Sequence, residues 1–231
     1  MRIVPTPDSR VPTTPAQVRL MEACERVVAR RGLGGTTIAE VTREADHRNH
    51  AAVRYHFGSL EALVRAMYGW RAAPLDAARR HGLERLDEAG RGHDVHALLA
   101  LFVTTARENL QRLRPSAWAR VQVALAADGP YVFFRRIDDD RAASGASRLP
   151  LDASREIFGR LADGARANGV AEPTLATATA VRSINQVFAC WETDDENPDA
   201  TAPPLDALTD QALRIGGAIL DPGPVACSSQ P

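Results

Sequence analysis

The fold of this chain is decided by residues 36–63, which read TTIAEVTREADHRNHAAVRYHFGSLEAL. Thr37 followed by Glu40 three residues later is a capping box, so a helix is predicted to begin there. The pattern breaks at Asp46, and aspartate tolerates the left-handed backbone that a tight turn often needs. Asn49 is then predicted to cap a second short helix. The expected buried residues are Ile38, Val41 and Ala45 in the first helix and Val53 and Phe57 in the second.

The spacing of residues 37–57 is that of a helix-turn-helix, in which the second helix enters the major groove of DNA and the first braces it. Arginine pairs with guanine and asparagine with adenine, whereas tyrosine and histidine reach phosphate oxygens. The residues predicted to face DNA are His50, Arg54 and Tyr55, flanked by His47, Arg48 and Asn49. On spacing alone, a generic helical hairpin with solvated polar residues is an equal alternative.

Signals for helix starts and ends continue on both sides of this segment. Residues 1–13 carry three prolines and little hydrophobic pattern, which predicts a flexible arm. Thr14 and Gln17 form a second capping box, with a proline at the first helical position. Ser59 follows a glycine and is predicted to cap a fourth helix, which Pro74 is expected to kink or interrupt.

The rest of the chain also has the periodicity of helices. Further helices are predicted at 94–113, 116–126, 130–142, 151–168, 174–192 and 205–220. No stretch alternates apolar and polar residues as a strand would, so the predicted fold class is all-α. The expected division is a flexible arm at 1–13, a DNA-binding domain at 14–70, a helical effector-binding and dimerisation domain at 71–220, and a disordered tail at 221–231.

The composition is that of a soluble globular protein. The chain has 231 residues, of which 45% are hydrophobic and 25% charged. No run approaches the ~18 apolar residues of a membrane span, and the first residues do not resemble a signal peptide. A cytoplasmic protein without a membrane partner is therefore expected.

Charge is distributed unevenly along the chain. There are 28 basic residues, all of them arginine, against 29 acidic residues. Residues 1–71 hold 11 arginines and 7 acidic residues, a net charge of +4, whereas residues 72–231 have a net charge of −5. This asymmetry favours a polyanion-binding amino-terminal part.

The cysteines and histidines do not indicate a metal site. Cys24, Cys190 and Cys227 are far apart, and the first two are predicted to be buried while Cys227 is expected to be an exposed thiol. His93 and His96, with Asp94 between them, lack a third convergent ligand. No metal and no cofactor are predicted.

Several short motifs together resemble the amino-terminal signature of the TetR family of transcriptional repressors. They are Thr36-Thr37-Ile38-Ala39-Glu40-Val41, then Ala45, then Tyr55-His56-Phe57-Gly58-Ser59, then Glu61-Ala62-Leu63. The resemblance covers about residues 15–70. It implies a homodimer that binds a near-palindromic double-stranded DNA operator, with an apolar small-molecule effector in the carboxy-terminal domain weakening that binding. Repression is the usual behaviour of the family.

The resemblance also implies roles for individual residues. Thr37 matches the position that meets a phosphate, and its neighbour Thr36 is grouped with it. Tyr55 and His56 match the end of the recognition helix, where phosphate contacts are common, and Phe57 matches an aromatic residue of the core. Three features depart from the family pattern: Asp46 replaces a glycine, Leu60 replaces a lysine, and the interval from Ala45 to Phe57 is one residue longer.

The effector and dimer residues are predicted from apolar stripes. The ligand-binding candidates are Phe102, Trp118, Phe133, Phe134 and Phe158, and the dimer candidates are Val181, Ile184, Phe188 and Trp191. The polar residues Arg107, Asn109 and Gln122 are further candidates for orienting a ligand. The alternative for both apolar sets is packing inside the subunit.

Two other functions were weighed against transcriptional regulation. An all-α enzyme that uses paired histidine and aspartate residues would need a nucleophile motif, a metal-ligand spacing or a cofactor loop, and the sequence has none of these. A helical interaction module with a vestigial helix-turn-helix is the other alternative. The sequence favours a DNA-binding regulator that is not an enzyme.

Overall fold

The computed structural model describes residues 14–46, 51–126, 149 and 151–223. The regular structure of these residues is helical and none of them forms a strand, which confirms the predicted all-α class. The helices are α1 (Pro15–Arg31), α2 (Ile38–Glu44), α3 (Ala52–Phe57), α4 (Leu60–Glu88), α5 (Val95–Leu113), α6 (Trp118–Ala126), α7 (Asp152–Ala167), α8 (Pro173–Glu196) and α9 (Leu205–Leu220). No helix within these ranges is long and apolar enough to cross a bilayer.

Some predictions fall on residues that the structure does not describe. The arm at 1–13, the helix at 130–142 and residues 224–231 of the predicted tail lie outside the described residues, as does Cys227.

Helix α1 begins and ends where its local sequence predicts. The Thr14 hydroxyl accepts a hydrogen bond from the amide of Gln17 at 3.2 Å, and the Gln17 side chain accepts one from the amide of Thr14 at 3.1 Å. This pair satisfies amides that the first turn leaves without a helical partner. Gly32 ends the helix with a φ of +70°, which glycine reaches without a steric penalty. The predicted stripe of Leu20, Met21, Cys24, Val27 and Val28 is buried.

Helix α2 begins where the sequence predicts, and the structure describes the predicted turn after it only at its start. Thr37 caps α2 by accepting a hydrogen bond from the amide of Glu40 at 3.2 Å. Asp46 has a φ of +50°, so the predicted left-handed conformation is confirmed. The prediction that Asn49 caps α3 is wrong, because the cap position is Ala51. The buried residues of α3 are Ala52 and Val53, directly after this cap position.

Helix α4 is one continuous helix of 29 residues. Ser59 precedes it and accepts a hydrogen bond from the amide of Ala62 at 3.0 Å, as predicted. Pro74 lies inside the helix, so the expectation of an interruption there is wrong. Proline removes a single amide donor. The neighbours Ala72 and Leu75 are buried, and their packing holds the helix together across Pro74.

The contacts within the chain divide it into two compact units. The first unit contains α1 to α3, α4 as far as Leu75, and α6; the second contains the rest of α4, α5 and α7 to α9. In the first unit α6 packs against α1, and Val121 of α6 is fully buried together with Leu20 and Leu63. Residues 116–126 therefore belong with the amino-terminal helices, whereas the sequence division placed them in the second domain.

The second unit is built around the pair of helices α8 and α9. Helix α5 packs against α9 and α7, and α7 also packs against α8. At Gly216 of α9 the backbone approaches two core side chains so closely that a Cβ there would lie 2.6 Å from Leu99 and 3.2 Å from Ile184. Helix α8 extends to Glu196, so the loop that follows it is shorter than predicted.

A polar network inside the second unit joins α4 to α7. Asp76 of α4 accepts hydrogen bonds from the amides of Ala153 and Ser154 at 3.1 and 2.8 Å and from the Ser154 hydroxyl at 2.7 Å. Arg79, which is buried, donates to the Ser154 hydroxyl at 2.9 Å and to Thr105 of α5 at 3.3 Å. The carboxylate of Asp76 thus supplies the amino-terminal cap of α7 from another helix.

The two described cysteines differ in their surroundings. Cys24 is buried as predicted, and burial in the apolar core raises the pKa of its thiol to about 12. The prediction that Cys190 is buried is wrong, because it lies on the exposed side of α8. The buried side of α8 at this level is formed by Phe188, Ala189 and Trp191 instead.

Adjacent glycines of α9 provide a matched test of this packing. We expect Gly216→Ala to destabilise the protein by about 1–3 kcal/mol, because its methyl group would overpack the core against Leu99. Around the Cβ position of Gly217, beyond the backbone of its own helix turn, no atom of the described residues lies within 4 Å. Gly217→Ala should therefore stabilise the helix by about 0.5–1 kcal/mol through the higher helix propensity of alanine. Urea unfolding of both variants measures the difference, and equal effects would contradict the close approach at Gly216.

Candidate nucleic-acid interface

Helix α3 has one buried side and one strongly exposed side. Ala52 and Val53 are buried, whereas Arg54 and Tyr55 face solvent. The Tyr55 side chain is 84% exposed, and among the described large hydrophobic residues only Leu175 is also classed as exposed. Its ring makes an edge contact with His56, with centroids 4.9 Å apart. The exposed Tyr55 ring and hydroxyl are therefore accessible to a partner from solvent.

The predicted DNA-facing residues do not all share this surface. Thr36 is buried, and its hydroxyl donates a hydrogen bond to the Gly32 carbonyl at 2.7 Å, so it stabilises the loop after α1 and does not face solvent. Thr37 is exposed beside Glu40, to which its hydroxyl donates at 3.1 Å. His56 is half-buried and contacts the rings of both Tyr55 and Phe57. His47, Arg48, Asn49 and His50 lie outside the described residues.

Salt bridges neutralise part of the positive charge of the amino-terminal helices. Glu44 pairs with Arg26 at 2.7 Å and with Arg30 at 2.5 Å. Burial acts to raise the pKa of Glu44, but the hydrogen bonds from these two arginines outweigh burial and hold that pKa below its ordinary value. Arg31 pairs with Glu40 at 2.8 Å. These three arginines therefore share two carboxylates, those of Glu40 and Glu44.

Three other arginines of this region are exposed to solvent. Arg19 of α1, Arg43 of α2 and Arg54 of α3 are exposed, and none has an ion pair with a described residue. Arg54 was predicted from the sequence, whereas Arg19 and Arg43 were not singled out. The helical period alone could have identified Arg43 as exposed. Arg43 lies on the side of α2 opposite the buried residues Val41 and Ala45, and that side faces solvent.

The predicted ligand residues are distributed between the two units. In the second unit Phe102 is buried and packs edge-to-face against Phe158, with centroids 5.5 Å apart and with Arg79 4.4 Å from the centre of its ring. Trp118 belongs to the first unit, where it packs against Tyr68 at 5.0 Å. Phe133 and Phe134 lie outside the described residues. Phe102, Trp118 and Phe158, the three candidates that the structure describes, therefore pack against other side chains within their own units.

The predicted polar ligand candidates have partners within the chain. Arg107 pairs with Asp206 at 2.7 Å, Asn109 accepts a hydrogen bond from Arg112 at 2.6 Å, and Gln122 accepts one from the Tyr68 hydroxyl at 3.2 Å. His96 lies 3.9 Å from Asp221. Within the described ranges no group of three or more histidine, cysteine or acidic side chains is arranged to hold a metal ion.

The predicted dimer residues are core residues of the second unit. Each is only 0–6% exposed within the single chain: Val181, Ile184, Phe188 and Trp191. They therefore pack against other residues of the same chain. Trp191 also donates a hydrogen bond to the Pro203 carbonyl at 2.9 Å. The solvent-facing stripe of α8 has different members: Leu175, Thr179, Arg182, Gln186, Cys190 and Thr193. We call these six residues the α8 outer stripe.

The chain was compared with models of protein families and with curated proteins, and neither comparison found a match. The resemblance to TetR-type regulators therefore rests on the motif residues between 36 and 63. Within this segment Arg43, Arg54 and Tyr55 are exposed.

Proposed function

We propose that this protein is a ligand-responsive transcriptional regulator, acting as a repressor, that binds a near-palindromic DNA operator as a homodimer. In this proposal α2, the turn at Asp46 and α3 form the helix-turn-helix. The observation that carries the proposal is the exposed pair Arg54 and Tyr55 on a short helix whose opposite side is anchored by Ala52 and Val53. Such a helix presents side chains to a groove while its backbone stays held.

In this proposal the exposed residues make two kinds of contact with DNA, one to the bases and one to the phosphates. Arg54 has the planar guanidinium group that recognises guanine through two parallel hydrogen bonds. The Tyr55 hydroxyl and the arginines Arg19 and Arg43 are suited to phosphate oxygens, which position a protein without reading sequence. Thr37, exposed at the start of α2, keeps its proposed phosphate contact, whereas Thr36 is dropped because it is buried.

A homodimer would place two copies of α3 on successive turns of one face of DNA. Operators for such dimers have half-sites separated by about one helical turn, roughly 34–36 Å, or a somewhat larger distance. The family resemblance favours the last two helices as the dimer surface. Because the apolar side of α8 is used inside the subunit, the α8 outer stripe is the part of that helix available to a second subunit.

Ligand control requires a connection between the ligand site and the DNA-binding surface. Helix α4 is continuous from Leu60, next to the proposed helix-turn-helix, to Glu88 in the second unit. A ligand that favours one position of this helix would weaken DNA binding by the same factor by which DNA weakens ligand binding, typically ~1–3 kcal/mol of coupling. Pro74 lies within this connection and lacks the amide donor that would stiffen it.

The two exposed arginines of α2 and α3 allow the DNA proposal to be tested. The operator is first selected from a random double-stranded DNA library by repeated binding and amplification. We expect Arg54→Ala to weaken binding to the selected operator by about 1–3 kcal/mol and to affect random DNA much less, because it removes a base contact. Arg43→Ala should weaken both DNAs equally, because it removes a phosphate contact.

Fluorescence anisotropy at a stated salt concentration measures these affinities. Arg166→Ala serves as the control, since this arginine is exposed on α7 in the second unit and pairs with Asp163 of the same helix. Equal losses on both DNAs for Arg54→Ala would assign Arg54 to phosphate contact. A wild-type protein that enriches no sequence and binds no duplex would refute DNA binding.

The dimer proposal predicts a different response from exposed and buried positions of α8. We expect a dimeric mass at micromolar concentration by analytical ultracentrifugation. Replacing Leu175 and Gln186 of the outer stripe together with aspartate should weaken the dimer at least about tenfold, because like charges would face each other across a two-fold axis. Val181→Asp should instead lower the unfolding temperature, since Val181 is buried in the subunit. A monomeric mass for the wild-type protein contradicts the proposal.

A further inference from the structure

A groove with a volume of about 610 Å³ runs between α4 and α5 in the second unit. One wall is a face of α4 that contains Ala78, Gly82 and Arg85, and the other is a face of α5 that contains Ala97 and Ala100. Residues three and four apart lie on one side of a helix, so each wall is a continuous helical face. This volume is within the range of small-molecule sites, about 300–1,000 Å³.

Small side chains account for the shape of the groove. At Gly82 a Cβ atom would overlap the side chain of Leu101, so Leu101 of α5 lies directly against the backbone of α4 there. Ala78, Ala97 and Ala100 then leave space beside this contact, whereas longer side chains would fill it. The result is an apolar floor of methyl and methylene groups. It lies apart from Phe102 and Phe158, which do not line the groove.

The charged side chains of the groove are separated along its length. Residues 89–94 join α4 to α5, and Arg85, Arg91 and His96 lie toward this connection. Glu108, the acidic residue of the lining, lies near the other end of α5. A bound molecule would therefore meet positive charge at one end, apolar surface in the middle and negative charge at the far end.

Among the described residues that line this groove, Arg85 is an exposed cation without a carboxylate partner in the part of the chain that the structure describes. Arg91 is occupied by Asp94, to which it donates at 2.7 Å. His81 and His96 each lie within 4 Å of a carboxylate, Glu84 at 3.8 Å and Asp221 at 3.9 Å. Arg85, by contrast, is exposed and forms no ion pair with any residue that the structure describes.

We propose that the α4–α5 groove is a binding site for a small organic anion with an apolar body, such as an aromatic or aliphatic carboxylate or sulfonate. The anionic group binds Arg85, and the apolar body lies over Gly82, Ala97 and Ala100. A hydrogen bond between a guanidinium group and an anion is among the stronger polar contacts, and the apolar floor adds the burial of hydrocarbon surface. This site differs from the aromatic residues that the sequence indicated, and the proposal does not require that the protein bind DNA.

The test uses two fluorescent probes that share one ring system. The first is 8-anilinonaphthalene-1-sulfonate, which has an apolar body and one sulfonate; the second is N-phenyl-1-naphthylamine, which lacks the sulfonate. Titrations are carried out on the full chain without DNA. We expect the sulfonate probe to bind saturably at one site per chain and more tightly than the neutral probe, because only the sulfonate can pair with Arg85.

Two variants locate the probe. Arg85→Ala should lower the affinity for the sulfonate probe about tenfold and change the affinity for the neutral probe by less than about twofold. The substitution removes the positive charge but leaves the apolar surface of the groove in place. Ala100→Phe should remove binding of both probes by filling the groove. Arg166→Ala, on α7, is the matched arginine control and should change neither affinity.

Circular dichroism and thermal unfolding establish that each variant is folded. Arg85 is exposed, so its replacement tests the proposal even if Ala100→Phe proves unstable. Sulfonate binding that survives Arg85→Ala unchanged, or that equals binding of the neutral probe, would overturn the proposal. These results do not depend on DNA binding, so this site and the proposed regulator function succeed or fail separately.

Discussion

Helix α4 contributes residues to both compact units, and in each unit its polar side chains bind to other helices. In its first half Arg71 donates to Glu25 of α1 at 2.7 Å, and Glu25 is almost completely buried. Burial raises the pKa of Glu25 even though the neighbouring Arg71 acts to lower it. Removing Arg71 would leave a buried carboxylate without its partner, which is far less favourable than an exposed unpaired charge. This pair therefore commits the first half of α4 to packing against α1.

The second half of α4 organises the other unit through Asp76 and Arg79. Asp76 caps α7, and Arg79 connects that cap to α5 while it also packs over the Phe102 ring. Buried polar groups of this kind are stabilising only when each finds its partners, so the network specifies one relative position of the helices within this unit. The α4–α5 groove lies beside this network and shares Thr105 with it.

The two proposals use surfaces that these packed helices leave exposed. In the regulator proposal, DNA would contact Arg54 and Tyr55 of α3 and a second subunit would contact the α8 outer stripe. In the separate groove proposal, an anion would contact Arg85. In each case the exposed side chain is held by a helix whose other side is buried. Rigid helices of this kind position functional groups more accurately than loops do.

The sequence by itself determined the all-α class and the local features of its helices. The caps at Thr14, Thr37 and Ser59 and the left-handed turn at Asp46 were predictable because each depends on residues within four positions along the chain. Only the tertiary structure decided which side of a helix finds a partner. It placed α6 with the amino-terminal helices, turned Thr36 inward, buried Phe188 and exposed Cys190. An apolar stripe looks the same whether it faces its own chain or another, and contacts between distant segments decide between the two.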